Sequence, residues 1–362
     1  MSEFDLIQQH FAGHHNGARL GVGDDAALFD IGGTTLAVAT DTLVVDVHFP
    51  ESAPAESTGH RALAVNLSDL ASMGATPRWM TLALTLPEYN AEWVAAFSSG
   101  LLSLAERYGV GLIGGDTTRG PLTISVTVFG EVDHALQRSG ARVGDQIWVG
   151  GLTGDAAGGL ACWPRRGAAD AHVDALISAF LYPQPQVELG QSLASRANAA
   201  IDVSDGLVAD LGHICRASSC GAVIHAERLP LSDSLVSTVG RERAEQLALA
   251  GGDDYVLLFT APADFQFSDC SVIGIPICGV SARKLGVHDH GGIVWDEIAG
   301  AYLIFLPIPR TWPWLIAGFV TFRILDIVKP WTIRELDRRL HGGLGIMLDD
   351  VVAALIGAVF LA

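Results

Sequence analysis

The stretch AIDVSDGLVADLGHI, residues 200–214, passes from an apolar strand into a helical pattern through a turn carrying Asp202, Ser204 and Asp205. A strand feeding a helix is the unit of α/β architecture. Ending that strand in carboxylates is costly, because a buried, unpaired carboxylate must be neutralised by something. The arrangement recurs along the chain. GVGDDAALFD (21–30) puts Asp24 and Asp25 ahead of an apolar run, and ATDTL sets Asp41 between Thr40 and Thr42 at a strand end. LIGGDTTRG places Asp116 in a Gly-Gly turn after a short apolar strand, and AGGDDYVLLF repeats the theme with Asp253 and Asp254. NLSDLASMG carries Asp69 one turn after Asn66, on a helix predicted from Pro54 to Met73 and stopped by Gly74 and Pro77.

Each acid alone is explained as well by a turn, and Ser204 or Asp205 makes a good helix N-cap. Together, with hydroxyls beside them, they suit a hard cation. Mg²⁺ takes oxygen ligands and bridges carboxylates to substrate phosphates. Composition sharpens this reading. The chain has 362 residues, 49% hydrophobic and 17% charged, enough for two folded domains. A formal charge of −18 argues against a nucleic-acid partner. Only Lys284 and Lys329 are lysines, so phosphate would have to be held by Arg, backbone amides or divalent metal. The Gly-rich stretches GLIGGDTTRG, VGGLTGDAAGGLA and VSDGL offer amides, and Arg138 in LQRSGARVGD offers a bidentate guanidinium. His48, in VVDVHFP, follows the Asp41 strand closely enough to touch a substrate, with a loop histidine as the plainer alternative.

Strands are expected at 35–40, 122–129 (strictly alternating), 145–150, 199–203 and 254–259. The five cysteines show no zinc spacing and suit a reducing cytoplasm with buried structural thiols, and the N-terminus shows no signal-peptide pattern. Beyond Lys284 the texture changes. Half of the eight tryptophans fall there, with apolar blocks at 298–309, 312–322 and 351–362, each too short to span a bilayer as one helix. A membrane interface and buried helices packed on a partner are both open for this tail. His288, Asp289 and His290 read as a polar turn or a metal-like cluster.

The motifs GVGDDAALF, LAVATDTLVVDVHF, ALAVNLSDLASMGATPRWMTLALTLP, LIGGDTTRGPL, RSGARVGD, TGDAAGGLA, AIDVSDGLVADLGHI and GGDDYVLLF occur in order over roughly residues 1–282. Together they resemble the thiamine-monophosphate kinase family. The resemblance implies the two-domain α/β (α+β) fold of the aminoimidazole ribonucleotide synthetase-like superfamily. An ATP-binding and dimerising domain at 1–135 would precede a second domain at 136–283. It also implies Mg²⁺-dependent transfer from ATP to thiamine monophosphate in a cytoplasmic homodimer. Carried over by position, Mg²⁺ ligation falls on Asp25, Thr40, Asp41, Asp69, Asp116, Asp202 and Asp205. ATP contacts fall on Gly115, Asp116, Arg138 and Ser204, and substrate contacts on His48 and Asp253. No residue is implied as nucleophile or base. Three positions depart from the family pattern. Ala39 stands near the metals where a hydroxyl can occur, Asp46 replaces a usual glycine, and Asp253 replaces a usual glutamate.

The tail, 284–362, resembles the later half of phosphatidylglycerophosphatase A, a Mg²⁺-dependent inner-membrane lipid phosphatase, and is expected as a hydrophobic helical segment able to attach to that membrane. Asp296, Glu297, Asp326, Asp349 and Asp350 would be its remnant metal site, or simply helix caps and solvated surface. The tail replaces the kinase's own C-terminal end, which normally supplies an aromatic residue to the thiamine moiety. Phosphatase activity and a nucleotide-binding but impaired kinase are therefore the alternative readings.

Overall fold

A computed structural model describes Ile7, residues 9–11 and residues 17–277. The expected tail, its apolar blocks, its acids, His288 to His290 and Cys278 lie outside the described residues. The first sheet contains β1 (Ala27–Ile31), β2 (Thr34–Val44), β3 (Thr76–Leu86), β4 (Gly111–Arg119) and β5 (Thr123–Glu131), in the order β1-β2-β5-β3-β4. The second contains β6 (Asp145–Val149), β7 (Ala199–Asp202), β8 (Gly221–Ile224), β9 (Leu257–Pro262) and β10 (Ser271–Ile277), in the order β7-β9-β6-β10-β8. β3 and β4 pair parallel, whereas β1–β2, β2–β5, β3–β5, β6–β9, β7–β9 and β6–β10 pair antiparallel. The architecture is thus of the α+β kind, although strands and helices alternate along the chain.

Helix α1 (Ala55–Ser72) is the hub. Fourteen of its 18 residues are buried, the signature of a helix covered on all sides rather than of a surface amphipath. It ends where Met73 caps it and Gly74 adopts φ +69°, as the sequence predicts. Its neighbour α2 (Ala91–Tyr108) crosses it at two glycines. A Cβ on Gly59 would lie 2.0 Å from the Phe97 carbonyl oxygen, and one on Gly100 would lie 1.9 Å from that of Glu56. Further α-helices among the described residues are α3 (Asp155–Ala161), α4 (Ala171–Leu181), α5 (Val187–Leu193), α6 (Leu207–Ser218), α7 (Asp233–Val239) and α8 (Arg241–Ala250). One apolar core joins the first sheet and α1 to Trp148, Leu257 and Phe259 of the second sheet. The site-bearing strand ends of both sheets therefore meet around one helix.

Local differences from the expected elements have identifiable causes. β5 alternates as expected, burying Ile124, Val126 and Val128. β9 starts at Leu257, three residues late, because Asp253 and Tyr255 take φ +71° and +50°, outside strand geometry. The Gly-Gly turn expected around Asp116 is instead the middle of β4, with Asp116 registered against Ala83. Gly115 serves that pairing, since a Cβ there would lie 1.8 Å from the Leu82 carbonyl oxygen. Asp46, where glycine is usual, adopts φ +60°, the backbone conformation that glycine favours. Among the described cysteines only Cys162 is fully buried; Cys215, Cys220 and Cys270 are half-buried.

Candidate active site

Strand parity decides which groups of β2 face α1. Ala37, Ala39 and Leu43 are buried on one face, and Asp41 shares their parity. Its backbone N–H donates to Oδ1 of Asn66 on α1 at 2.9 Å, and Asn66 is itself anchored by donating to the Ala62 carbonyl at 3.0 Å. Asp69 lies three residues further along the same helix, so it rises on the same face. Asp202 arrives from the end of β7, and Asp25 from the entry to β1. Carboxylate oxygens of Asp25, Asp69 and Asp202 lie within 4.8 Å of one another.

These three carboxylates line a cavity of about 680 Å³, together with Asp41, His48, Arg138, Ser204, Asp205, Asp210, Asp253 and others. That volume suits a nucleotide-sized ligand. Eight aspartates and one arginine face it. Burial, and then Asp41, Asp202 and Asp25, push the Asp69 carboxyl well above the usual range. Burial and then Asp25 do the same to Asp202, with the Ser68 hydroxyl pulling the other way. Asp24 is pushed up to about 6 by burial and by Asp25. Asp25 is raised by burial and held back by Arg138, whose Nε donates to Asp25 Oδ1 at 2.9 Å and whose Nη2 donates to the same oxygen. Oδ2 of Asp25 is buried with no hydrogen-bond partner. A cluster of oxygen donors that repel one another, one of them orphaned, fits a divalent cation.

The structure brings Asp25, Asp41, Asp69, Arg138, Asp202, Ser204, Asp205, His48 and Asp253 to this one cavity. Thr40 also lines it, but its hydroxyl points to the opposite sheet face and shares a 2.9 Å hydrogen bond with Thr127. Gly115 and Asp116 do not line it. They sit on exposed β4, three strand spacings from β2 in the sheet order, which is roughly 14 Å at the ordinary inter-strand distance. His48 Nδ1 accepts the Val44 N–H at 3.0 Å, which fixes the ring after β2. Arg138, expected as a phosphate ligand, is occupied by Asp25, and its own backbone N–H donates to Asp24 Oδ2 at 3.1 Å.

Asp210 escaped the sequence reading. Ser204 and Asp205 do not cap α6, whose N-cap is Gly206 with no side-chain bond. Instead Oδ2 of Asp210, in the first turn, accepts the N–H groups of Ser204, Asp205 and Gly206 at 3.0, 3.1 and 3.1 Å. Burial and Asp205 push its carboxyl up to about 7. The sequence carries a signal for it, an acid four residues after Gly206 in the first turn of the helix that follows. His213 also faces the cavity, and burial, Arg138 and Arg216 lower it to about 4, so it is neutral near pH 7.

Comparisons with known proteins agree on the family. Residues 23–132 match the AIR synthase related protein N-terminal domain and residues 142–266 its C-terminal domain, while residues 267–362 match phosphatidylglycerophosphatase A. The thiamine-monophosphate kinase of Escherichia coli K12 is 50% identical over 269 residues, covering 72% of this chain and 82% of the relative. That of Bacillus subtilis is 35% identical, covering 76% and 90%. A crystal structure of the Stenotrophomonas maltophilia thiamine-monophosphate kinase aligns with TM-score 0.66 and 45% identity, over 77% of this chain and 95% of that one. AaThiL complexed with AMPPCP and TMP aligns with TM-score 0.71 and 33% identity, over 76% and 89%. With a cavity of converging aspartates on this two-sheet fold, and relatives at this identity and coverage, the chain belongs to the thiamine-monophosphate kinase family.

Proposed function

We propose that the chain phosphorylates thiamine monophosphate with ATP, giving thiamine diphosphate and ADP, by direct in-line displacement. The observation that carries this reading is the convergence of Asp25, Asp69 and Asp202 within 4.8 Å in a cavity that, among the described residues, a single arginine faces. An acceptor phosphate is already largely dianionic near neutral pH, so no base is required. Its terminal oxygen forms the new bond to the γ-phosphorus. The bond from that phosphorus to the β–γ bridging oxygen breaks, and the electron pair leaves with ADP. Asp25, Asp41, Asp69, Asp202 and Asp205, with Thr40 lining the same cavity, would hold Mg²⁺, which when bound screens the polyphosphate charge. Ser204 and Arg138 hold the nucleotide, Arg138 exchanging part of its contact with Asp25 for phosphate oxygen. His48 and Asp253 orient the acceptor.

The AMPPCP and TMP bound to AaThiL support an ATP-type donor and this acceptor. We assign residues 1–135 and 136–283 to the two kinase domains and place the enzyme in the cytoplasm, where ATP is available. Gly115 and Asp116, remote from Asp41 within one chain, are assigned to the neighbouring site of a homodimer. Exposed Leu112 and Ile113 on the same strand support a covered face there. Formation of thiamine diphosphate from thiamine monophosphate and Mg²⁺-ATP by the purified full chain tests the reading; absence of turnover removes it.

A second reading concerns the carboxy-terminal segment. The phosphatidylglycerophosphatase A match at 267–362 supports a lipid-phosphate role and membrane attachment for it. Phosphate release from phosphatidylglycerophosphate vesicles by the full chain is the corresponding assay. Among the described residues, no helix is long and apolar enough to cross a membrane.

A further inference from the structure

Arg61, on α1, is 2% exposed, and no reading above gives it a role. A buried guanidinium is tolerated only when its charge and its donors are compensated. Here Nη1 donates to the Phe180 carbonyl at 2.7 Å, and Nη2 donates to Oδ1 of Asp253. The guanidinium carbon lies 4.6 Å from the Phe180 ring centroid and 5.5 Å from that of Tyr255. Nε is buried with no partner. The cation is thus clamped by two aromatic faces and a carbonyl, and the acid paired with it is Asp253, which opens onto the cavity.

The segment it grips is held in an unusual shape. Asp253 and Tyr255 both have positive φ, a conformation that is strained at a residue other than glycine and persists only where its surroundings enforce it. The backbone N–H of Asp253 donates to the Ser204 carbonyl at 2.9 Å, and that of Tyr255 to the Val203 carbonyl at 2.8 Å. The Tyr255 hydroxyl donates to Asp253 Oδ1 at 3.4 Å. Gly252 is pressed so closely on the same loop that a Cβ would lie 2.2 Å from the Ser204 carbonyl oxygen. Arg61 therefore fixes Oδ1 of Asp253, a residue that lines the cavity, and offsets a negative charge that would repel an incoming phosphate ester.

We propose that Arg61 is a positioning residue for the phosphate acceptor, acting through Asp253 and Tyr255 and not through the nucleotide. This deepens the kinase reading and rests on it. The design differs from a free carboxylate in one respect. The acid is presented as half of an ion pair, so it can accept a hydrogen bond from the acceptor without opposing the acceptor's own charge.

Steady-state kinetics on the full chain test the proposal with Arg61→Met, which keeps an apolar stem between the two rings, and Arg61→Lys, which keeps the charge. Expected for Arg61→Met are a rise of about tenfold or more in KM for thiamine monophosphate, as for one lost charge-assisted hydrogen bond. KM for ATP should stay within about twofold, whereas the thermal midpoint should fall, because Asp253 and the Phe180 carbonyl lose their buried partner; rates are therefore compared well below that midpoint. Arg61→Lys should recover part of the loss. In an Asp253→Asn background, Arg61→Met should add little, since both act along one line. Equal rises in both KM values, or multiplicative effects in the double variant, would overturn the proposal. A wild-type chain that turns over no thiamine monophosphate would remove the parent reading and this proposal with it, whereas a working wild type with indifferent variants removes the proposal alone.

Discussion

Arg138 donates through Nε to Oδ1 of Asp25 at 2.9 Å, while Oδ2 of that same carboxylate is buried without a partner. One oxygen is thus neutralised by the protein, and in the proposed Mg²⁺ site the other would be left for the cation. Replacing Arg138 by Gln removes the compensation and the one arginine that faces the cavity among the described residues. Turnover is expected to fall about 100-fold with a raised KM for ATP, and the apo chain to lose about 3 kcal/mol at most. Initial rates against ATP concentration check this; an unchanged KM for ATP would count against Arg138 as a nucleotide ligand.

Asp69 bears the opposite sign. Burial and three neighbouring carboxylates raise its pKa, so in the absence of metal its charge opposes folding. Asp69→Asn should therefore stabilise the chelator-treated chain by on the order of 1–2 kcal/mol at pH 8, while turnover falls at least about 100-fold. Mg²⁺ should raise the melting midpoint of the wild type and leave that of the variant nearly unmoved. Calorimetry with and without chelator reads both effects, and a destabilised apo variant would refute the electrostatic account.

Asp210 gathers three consecutive amides at the edge of the cavity. Asp210→Ala leaves those donors unpaired and frees the loop that carries Ser204 and Asp205. Turnover should fall about 30–100-fold, and Asp210→Asn, which retains one acceptor oxygen, should fall less. If the alanine and asparagine variants behave alike, the amide contacts are not what matters.

Asp41 and Asp116 lie on strands separated by β5 and β3. In a homodimer with sites shared between copies, Asp41→Asn and Asp116→Asn are each expected to be nearly inactive alone. Refolding the two together in equal amounts should restore about a quarter of wild-type activity, because half of the dimers are mixed and each mixed dimer has one intact site of two. No recovery in the mixture would place both residues in one chain's site.

Asp254 is buried where it accepts the N–H groups of Gly154, at 2.7 Å, and Ala156, at 3.3 Å, and burial pushes it up to about 7 from 3.8. A carboxyl raised in the fold binds its proton more tightly there than when unfolded. Its contribution to stability is present at low pH and is lost as pH rises from about 4 to about 7. Asp254→Asn should flatten the decline in unfolding free energy across that window, by at most about 1.4 kcal/mol per pH unit. Denaturant titrations of both proteins in chelator at pH 4.5 and 6.5 give the comparison; identical slopes would exclude the linkage.

Legibility from sequence tracked locality. The helix at 55–72 was readable because its caps and its apolar density are local features, and the β5 alternation was readable because parity is local. The convergence of Asp25, Asp69 and Asp202 was suggested only by the recurrence of acids at strand ends, since contact between them depends on how two sheets share α1. Thr40 and Asp41 show the limit of adjacency, as neighbours in a strand face opposite ways. Asp116 shows the limit of a Gly-Gly signal, where the glycine served strand packing and not a turn. Arg61 carried no sequence signal, because a basic residue within an apolar helix acquires meaning only through the loop that docks on it.

Helix α1 carries Arg61, Asn66 and Asp69 along a rod buried between two sheets. For the proposed reaction, competence is accordingly an all-or-none property of assembly: the candidate ligand groups exist as a set only after both halves have closed on that rod. Core lesions far from the cavity should surface as a greater requirement for nucleotide and metal, since occupancy and closure draw on the same equilibrium.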